Sequence, residues 1–310
     1  MVLTITLNTS IDKAYCLTEP IADGTVMRVK ECINVAGGKG LNASRAISTC
    51  GEDVIATGFC GGNNGRLLCE LLAQDGISES FVHVKNETRC CVNVLDPDGR
   101  STEFLEPGRE VTPDEVGAFL RRIDELLKDA DVVTINGSVP KGLPTDTYAT
   151  LVERIKQTGV PVILDTSGEL LREGIRACPT MVKPNTDEIG QLLGRCVSSL
   201  DEVARAASDL HEQGIQKVVV SLGGDGALMA CDEGVFRGIA PAIEVVNPVG
   251  AGDTMVGAFA VGIARGMAPD AQLAYAMSCA SANCLSPSTG HFDMGVARDL
   301  LSRTTVEKIA

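Results

Sequence analysis

The sequence predicts an α/β protein in which helices flank a mostly parallel central sheet. Short runs rich in β-branched residues alternate with amphipathic helical periods along most of the chain. The length of 310 residues is enough to bury a full core. The predicted strands are Val2–Leu7, Val54–Thr57, Val132–Ile135, Val162–Asp165, Met181–Lys183 and Lys217–Leu222.

Amphipathic segments between these strands predict the helices. Thr112 and Pro113 mark one helix start, because a Thr side chain can cap free N–H groups and Pro suits the first helical turn. The predicted helices are Leu41–Cys50, Gly65–Asp75, Pro113–Lys128, Thr145–Thr158, Thr186–Leu193 and Leu200–Gln213.

Two segments break this rhythm and predict a small lid. Thr25–Asn34 and Arg89–Leu105 are typical of strands with no helix between them, and the second contains a turn at Asp96–Gly99. We expect them to pair beside the main sheet as a lid formed from about residues 12–34 and 89–105. From Asn247 onward the chain is mostly helical and rich in Ala and Gly. No repeat or linker divides the chain, so residues 1–310 are predicted to form one domain.

Composition excludes several functional classes. There are 27 Lys plus Arg against 41 Asp plus Glu, a formal net charge of −14, which argues against nucleic-acid and anionic-membrane partners. A phosphorylated ligand therefore needs a local cluster of cations. The 12 cysteines lack paired spacing and favour a reduced, cytoplasmic protein. The longest apolar stretch, Met255–Ala264, is too short to span a membrane.

The strongest motif for chemistry lies around Gly250–Asp253. Val245–Val246 can end a strand, Pro248 and Gly250 break it, and an apolar helical period follows. A glycine-rich helix N-terminus presents free N–H groups and a positive dipole end, which suit a phosphate or its developing charge. Asp253 alone fits a general base or an ordinary first-turn residue equally well.

A second glycine-rich turn, Gly37–Gly40, opens the helix that contains Asn42. It fits a substrate anchor, with close backbone approach, an ammonium and an amide; alternatively it is a flexible loop with a solvated Lys. It is not a Walker A loop, because Lys39 is followed by Gly. The turn at Gly250 does not continue into G-x-G-x-x-G, which disfavours a dehydrogenase.

The glycine-rich turns at Gly37–Gly40 and Gly250–Asp253 resemble the two signatures of the PfkB (ribokinase-like) carbohydrate kinases. Lys183–Glu188 resembles the family's Asn-x-x-Glu motif, and Ser221–Gly226 its nucleotide-phosphate loop. The resemblance implies a ribokinase-like three-layer α/β/α fold. Three further stretches are similar to the subgroup of 1-phosphofructokinases and tagatose-6-phosphate kinases: Thr6–Asp12, Glu87–Arg89 and Gly137–Gly142.

The resemblance also implies roles for single residues. Asp253 is expected to act as the base, and the N–H groups of Ala251 and Gly252 as the anion hole, with Gly250 as a further residue of the catalytic turn. Glu188 is expected to hold Mg²⁺ through water. The expected substrate-binding residues are Asp12, Arg28, Gly37, Gly38, Lys39, Asn42, Arg89 and Ser138. The expected ATP-binding residues are Lys183, Asn185, Ser221, Gly223, Gly226 and Asn283.

The expected activity is ATP- and Mg²⁺-dependent phosphorylation of a ketohexose monophosphate to its 1,6-bisphosphate. Arg28, Lys39 and Arg89 would supply the local cations that a sugar phosphate requires. 1-Phosphofructokinase is favoured, and tagatose-6-phosphate kinase is the alternative. A kinase of unphosphorylated sugars or nucleosides and a sugar-phosphate sensor without activity are less favoured. Asn8–Ser10 and Asn136 depart from the family pattern, which leaves the identity of the sugar open.

Apolar residues on the lid predict self-association. Val26, Val29 and Ile33 would lie along a free strand edge, where a second copy of the chain can pair. We therefore expect a homodimer formed through the lid, with sugar phosphate and ATP as the small-molecule partners.

Overall fold

Fifteen strands and ten helices make up the computed structural model, which describes residues 1–310. The strands are β1 (Val2–Thr6), β2 (Ser10–Cys16), β3 (Glu31–Gly37), β4 (Val54–Gly61), β5 (Ser78–Glu79), β6 (Val82–Val84), β7 (Arg89–Leu95), β8 (Ser101–Leu105), β9 (Val132–Asn136), β10 (Val162–Asp165), β11 (Met181–Val182), β12 (Lys217–Ser221), β13 (Ala227–Cys231), β14 (Gly234–Ile239) and β15 (Thr305–Lys308). The helices are α1 (Lys39–Thr49), α2 (Gly62–Gln74), α3 (Pro113–Leu126), α4 (Thr147–Lys156), α5 (Gly168–Gly174), α6 (Thr186–Leu193), α7 (Leu200–Glu212), α8 (Ala251–Ala264), α9 (Pro269–Cys284) and α10 (Met294–Arg303).

The main sheet has 11 strands, in the order β15-β14-β13-β12-β11-β10-β9-β1-β4-β5, with β6 also paired to β4. All pairs from β12 to β5 are parallel, which confirms the predicted parallel sheet. Its other edge, β13, β14 and β15, is antiparallel. The carboxyl ends of the parallel strands therefore meet at one edge, where α/β proteins bind their ligands.

Alternating side chains of the sheet enter two separate cores. Val2 packs on one face with residues of α1, α2, α8, α9 and α10, whereas Leu3 packs on the other with residues of α3, α4, α5, α6 and α7. This alternation gives the predicted three layers, because successive strand side chains point to opposite faces. Burial from Asp253 to Gly262 explains the apolar stretch of α8. No helix has the length and apolar character needed to cross a membrane.

The lid is a second sheet of four strands in the order β3-β2-β7-β8. The predicted strand at Thr25–Asn34 is wrong in its first part, because β3 starts only at Glu31. Cys16, the last residue of β2, pairs with Glu31. The chain beyond Cys16 leads to Pro20, so no strand lies beside residues 25–29, which are exposed except for the half-buried Met27.

The prediction that Val245–Val246 ends a strand is also wrong. Both residues are exposed and irregular. The sheet edge ends at Ile239, and Pro241 follows. The segment is held instead by Cys284, whose carbonyl accepts from the N–H groups of Val246 and Asn247.

Candidate active site

The N-terminus of α8 lies where the Gly250–Asp253 motif predicts it. Gly250 is the N-cap with φ 78°, and a Cβ there would overlap Thr289, so both conformation and space require glycine. The N–H of Ala251 donates to Pro248 O at 3.3 Å, whereas the N–H groups of Gly252 and Asp253 donate to no protein group. The free amides of the predicted anion hole are thus one residue further along than expected.

Asp253 is buried in the first turn of α8, with 9% of its surface exposed. Its Oδ2 accepts from Asn42 Nδ2 at 2.8 Å. Burial, followed by the negative charge of Asp165, raises the pKa of Asp253 to about 6, although Asn42 and nearby lysines act in the opposite direction. A carboxylate with this pKa can accept a proton near neutral pH.

The amide of Asn42 is held in one orientation by a buried arginine. Arg45 Nη1 donates to Asn42 Oδ1 at 3.1 Å, which leaves the amide N–H₂ to face Asp253. Arg45 Nε in turn donates to Asp75 Oδ2 at 2.7 Å. The contacts from Asp75 to Asp253 fix the direction of the hydrogen bond that Asp253 receives. Arg45 is a part of the site that the sequence analysis misses.

Asp165 is the second missed residue. It ends β10, and its carboxylate is 1% exposed with no hydrogen bond to either oxygen. Lys39 Nζ lies 3.7 Å from Oδ2 and Lys183 Nζ lies 3.5 Å from Oδ1. The available signal is a carboxylate that directly follows a buried run at the carboxyl end of a parallel strand.

Both lysines therefore lie around one carboxylate at the base of the site. The charge of Asp165 is the largest influence that raises the pKa of Lys39, so this ammonium stays protonated. A Cβ on Gly252 would lie 3.3 Å from Lys183 Nζ. A side-chain cation thus adjoins the free amides of α8, where the sequence analysis expects the backbone alone.

Close packing explains the glycines of the Gly37–Gly40 turn. A Cβ on Gly37 would overlap the carboxylate of Asp12, and one on Gly40 would overlap Thr6 Oγ1. Gly38 has φ 120°. The turn is therefore fixed against β1 and β2, which favours an anchor over a flexible loop.

The lid contributes Asp12 and Arg89. Burial raises the pKa of Asp12, whose Oδ1 accepts from Ser10 Oγ at 2.6 Å. Arg89 donates to the carbonyls of Glu106 at 2.9 Å and Asn8 at 3.1 Å, and its Nε is buried without a partner. Arg89 borders a cleft that is also lined by Thr9 and Arg109. Ser138 lies beside it, since its Oγ accepts from Asn8 Nδ2 at 2.9 Å.

The structure does not bring Arg28 into this group. The expectation that it lies on a lid strand is wrong, because β3 begins three residues later. Its side chain is exposed and makes no hydrogen bond or ion pair within the chain. Arg45 is the cation that approaches Asp12 from the main body, since its charge and that of Arg89 both lower the pKa of Asp12.

Asn185 and Glu188 form a capping box at the start of α6. The Glu188 N–H donates to Asn185 Oδ1 at 2.8 Å, and the Asn185 N–H donates to Glu188 Oε2 at 2.9 Å. Asn185 thus precedes the helix as its N-cap. Glu188 Oε1 accepts no hydrogen bond and is a hard oxygen donor of the kind that Mg²⁺ prefers. The residues present therefore fit a magnesium ion.

The remaining residues expected at the ATP site occupy two places. Ser221 ends β12 beside Asn185, and Gly223 opens the turn that follows. Gly226 has φ 97°, and a Cβ there would overlap Gly238 O. The side chain of Asn283, also expected at the ATP site, is fully buried. Its amide accepts from Gly290 N and donates to Val249 O, so it braces the loop before α8.

A buried carboxylate at a glycine-rich helix N-terminus, with lysines and a second glycine-rich turn, is an arrangement suited to phosphoryl transfer. Residues 5–294 match the sequence model of the pfkB family carbohydrate kinases. The chain belongs to this family. The predicted family is thus confirmed, and the protein is a phosphotransferase with an alcohol group as acceptor, from a family that uses ATP.

Solved structures agree with this assignment. Phosphofructokinase-2 from Escherichia coli, solved with fructose-6-phosphate, is 28% identical over 97% of this chain and 98% of that chain, with a TM-score of 0.91. A possible 1-phosphofructokinase from Thermotoga maritima is 28% identical over 100% of both chains, with a TM-score of 0.88. A Staphylococcus aureus protein assigned provisionally as a phosphofructokinase is 31% identical over 99% and 98%, with a TM-score of 0.84. The fold is ribokinase-like, as predicted.

Proposed function

We propose that this kinase phosphorylates a ketohexose monophosphate to its 1,6-bisphosphate, with fructose 1-phosphate as the favoured substrate. The observation that carries the proposal is Arg89, whose buried Nε has no partner and which borders the cleft beside Asp12. The charges of Arg89 and Arg45 both act on Asp12, and hydrogen bonds join Arg45 to Asn42 and Asn42 to Asp253. A sugar with a phosphate at one end and its acceptor hydroxyl at the other matches this polarity.

Each group near Asp253 has a task in the proposed reaction. Asp253 accepts the proton of the acceptor hydroxyl, and the N–H groups of Gly252 and Asp253 stabilise the charge that develops on the transferred phosphoryl group. Lys183 and Lys39 add positive charge at the same place. Glu188, with Asp165 behind it, would hold Mg²⁺, which neutralises charge on the ATP phosphates when bound.

The substrate is tested by ADP release with a panel of acceptors. Fructose 1-phosphate, fructose 6-phosphate, tagatose 6-phosphate and fructose are compared at equal concentration with ATP and Mg²⁺. We expect the highest kcat/KM with fructose 1-phosphate. A clear preference for tagatose 6-phosphate supports the alternative, and a preference for fructose contradicts the sugar-phosphate proposal. If no ADP is released with any of the four sugars, the result favours a sugar-phosphate sensor without kinase activity.

Arg89→Ala tests how the phosphate is held. Loss of a charge-assisted contact of about 1.5–3 kcal/mol should raise KM for the sugar phosphate by about tenfold or more and leave KM for ATP unchanged. Arg121→Ala, an exposed arginine of α3, is the control. An unchanged KM in Arg89→Ala would favour a kinase of unphosphorylated sugars.

We also propose that two chains associate through their lids. Val26 is 88% exposed and Phe104 of β8 is 61% exposed, and Ile33 and Val35 of β3 are exposed as well. A four-stranded sheet that leaves such side chains in water is a typical association surface.

A further inference from the structure

Cys60, Cys69 and His83 form a side-chain cluster at the edge of the main sheet that has no role in phosphoryl transfer. Their sulfur and nitrogen atoms all lie within 4.8 Å of one another. Cys60 lies near the end of β4, and His83 of β6 is directly opposite it in the parallel pair. Cys69 belongs to α2, the helix that covers this pair. Three separate elements thus bring together two thiols and an imidazole.

We propose that this cluster is a binding site for Zn²⁺ or an equally thiophilic divalent cation. Thiolate and imidazole are the ligands that zinc prefers, in tetrahedral geometry. With Zn–S of about 2.3 Å and Zn–N of about 2.0–2.1 Å, the tetrahedral angle places sulfur and nitrogen about 3.6 Å apart. The distance from Cys60 Sγ to His83 Nδ1 is 3.6 Å. The donors of this pair are therefore already spaced for coordination.

Glu79 is a carboxylate near the two thiols, outside the three-donor cluster. It belongs to β5, the strand beside β4, and its Oε2 accepts from Phe81 N at 2.9 Å. Its other carboxylate oxygen has no hydrogen bond to the protein. Glu79 and His83 are exposed and Cys69 is half-buried, so an ion can enter from solvent while Cys60 forms the buried floor.

The site adjoins the base of the lid. Gly61, next to Cys60, exchanges hydrogen bonds with Thr88, which precedes the lid residue Arg89. Asn64 of α2 donates to Thr88 O at 2.8 Å. An ion held by Cys60, Cys69 and His83 would tie α2, β4 and β6 together at the point where the chain enters β7.

Cobalt provides a spectroscopic test, because Co²⁺ bound by thiolates absorbs through charge transfer. The full chain is stripped with a chelator, kept reduced and titrated with Co²⁺ and then with Zn²⁺. We expect one equivalent of tetrahedral Co²⁺ with thiolate absorption, which one equivalent of Zn²⁺ displaces. Metal content by mass spectrometry and competition with a chromophoric chelator give the stoichiometry and affinity.

Variants assign the ligands. Cys69→Ser and His83→Ala should each weaken Zn²⁺ binding at least about tenfold, a loss typical even for residues that only support a ligand. Both side chains reach solvent, so the test does not depend on replacing the buried Cys60. Cys178→Ser, a half-buried thiol elsewhere, is the control. Absence of thiolate absorption, or unchanged Zn²⁺ affinity in His83→Ala, would overturn the proposal.

Discussion

At the scale of single residues, ionisation of the buried Asp253 lowers the stability of the folded protein. Because burial and Asp165 raise its pKa from 3.8 to about 6, the native state binds this proton more tightly than the unfolded chain does. The contribution of Asp253 to stability therefore falls as the pH rises from about 4 to about 6 and levels off above, by about 3 kcal/mol. A buried carboxyl group with a strongly raised pKa is more typical of a functional site than of a structural position.

Asn42→Ala tests the hydrogen bond that partly offsets this cost. Since that bond lowers the pKa of Asp253, its removal should raise the pKa above about 6. The rise of kcat/KM with pH that accompanies deprotonation of Asp253, the acid limb of the profile, then moves to higher pH. Asn63→Ala, an exposed residue of α2, should leave the limb in place. A limb that stays fixed or moves to lower pH in Asn42→Ala would contradict the assigned contact.

Sequence reasoning identifies some residues of the site and misses others for a physical reason. Asp253 and Lys39 stand in glycine-rich turns, whose composition is visible along the chain. Asp165 and Arg45 are recognised only by what surrounds them. Asp165 meets Lys183 because β10 and β11 are neighbours, and Arg45 reaches Asn42 because they are three residues apart on α1. The contact between Asp165 and Lys183 thus depends on the order of the strands in the sheet, which the sequence does not show directly.

At the scale of elements, strong local signals give reliable bounds. The predicted bounds of β10 and α6 agree with the structure. Thr112 caps α3 through a reciprocal box with Glu115. Strand propensity alone is a poor guide where a strand forms only if a partner strand lies beside it. The strand β5 has only two residues, and the valines at 245 and 246 have strand propensity but no strand beside them.

Gly252→Ala distinguishes the structural role of the first turn of α8 from its role in phosphoryl transfer. Gly252 has ordinary helical φ, so Ala should not weaken the helix and can stabilise it by up to about 1 kcal/mol. The added methyl group would stand 3.3 Å from Lys183 Nζ, where the phosphoryl group must approach. We expect unchanged or higher thermal stability together with a fall in kcat of about tenfold or more, as for loss of an oxyanion contact.

Gly117→Ala in α3 is the matched control, because its Cβ would make only an ordinary contact, with Arg121. It should bring the same gain in stability without any change in kcat. Full activity in Gly252→Ala would show that the N-terminus of α8 does not approach the transferred group.

At the scale of the whole molecule, the net charge of −14 contrasts with the local group of cations at the site. Lys39, Lys183, Arg45 and Arg89 all lie at the carboxyl edge of the sheet or on the lid beside it. The net negative charge disfavours polyanions, whereas a small phosphorylated ligand can meet several cations together at the site.

Association through the lid is tested by Phe104→Asp. A charge on the exposed apolar surface of the lid should prevent pairing, so the wild-type chain should have a dimer mass by light scattering and the variant a monomer mass. Val296→Asp, at an exposed apolar position of α10, is the control and should remain dimeric. A monomeric wild-type chain at micromolar concentration would contradict the proposal.

The central claim is that Asp253 is the base of the transfer, and Asp253→Asn tests it most directly. The substitution keeps the shape and removes the proton acceptor. Removing a buried charge should also leave the variant at least as stable as the wild type at neutral pH, which guards against trivial loss of activity through unfolding.

The measurement is kcat of Asp253→Asn in the ADP-release assay, with ATP binding measured by calorimetry on the same sample. We predict a fall in kcat of at least about 100-fold, the lower end expected for loss of a positioned general base, with ATP affinity retained. A kcat within a few-fold of the wild-type value would contradict the account.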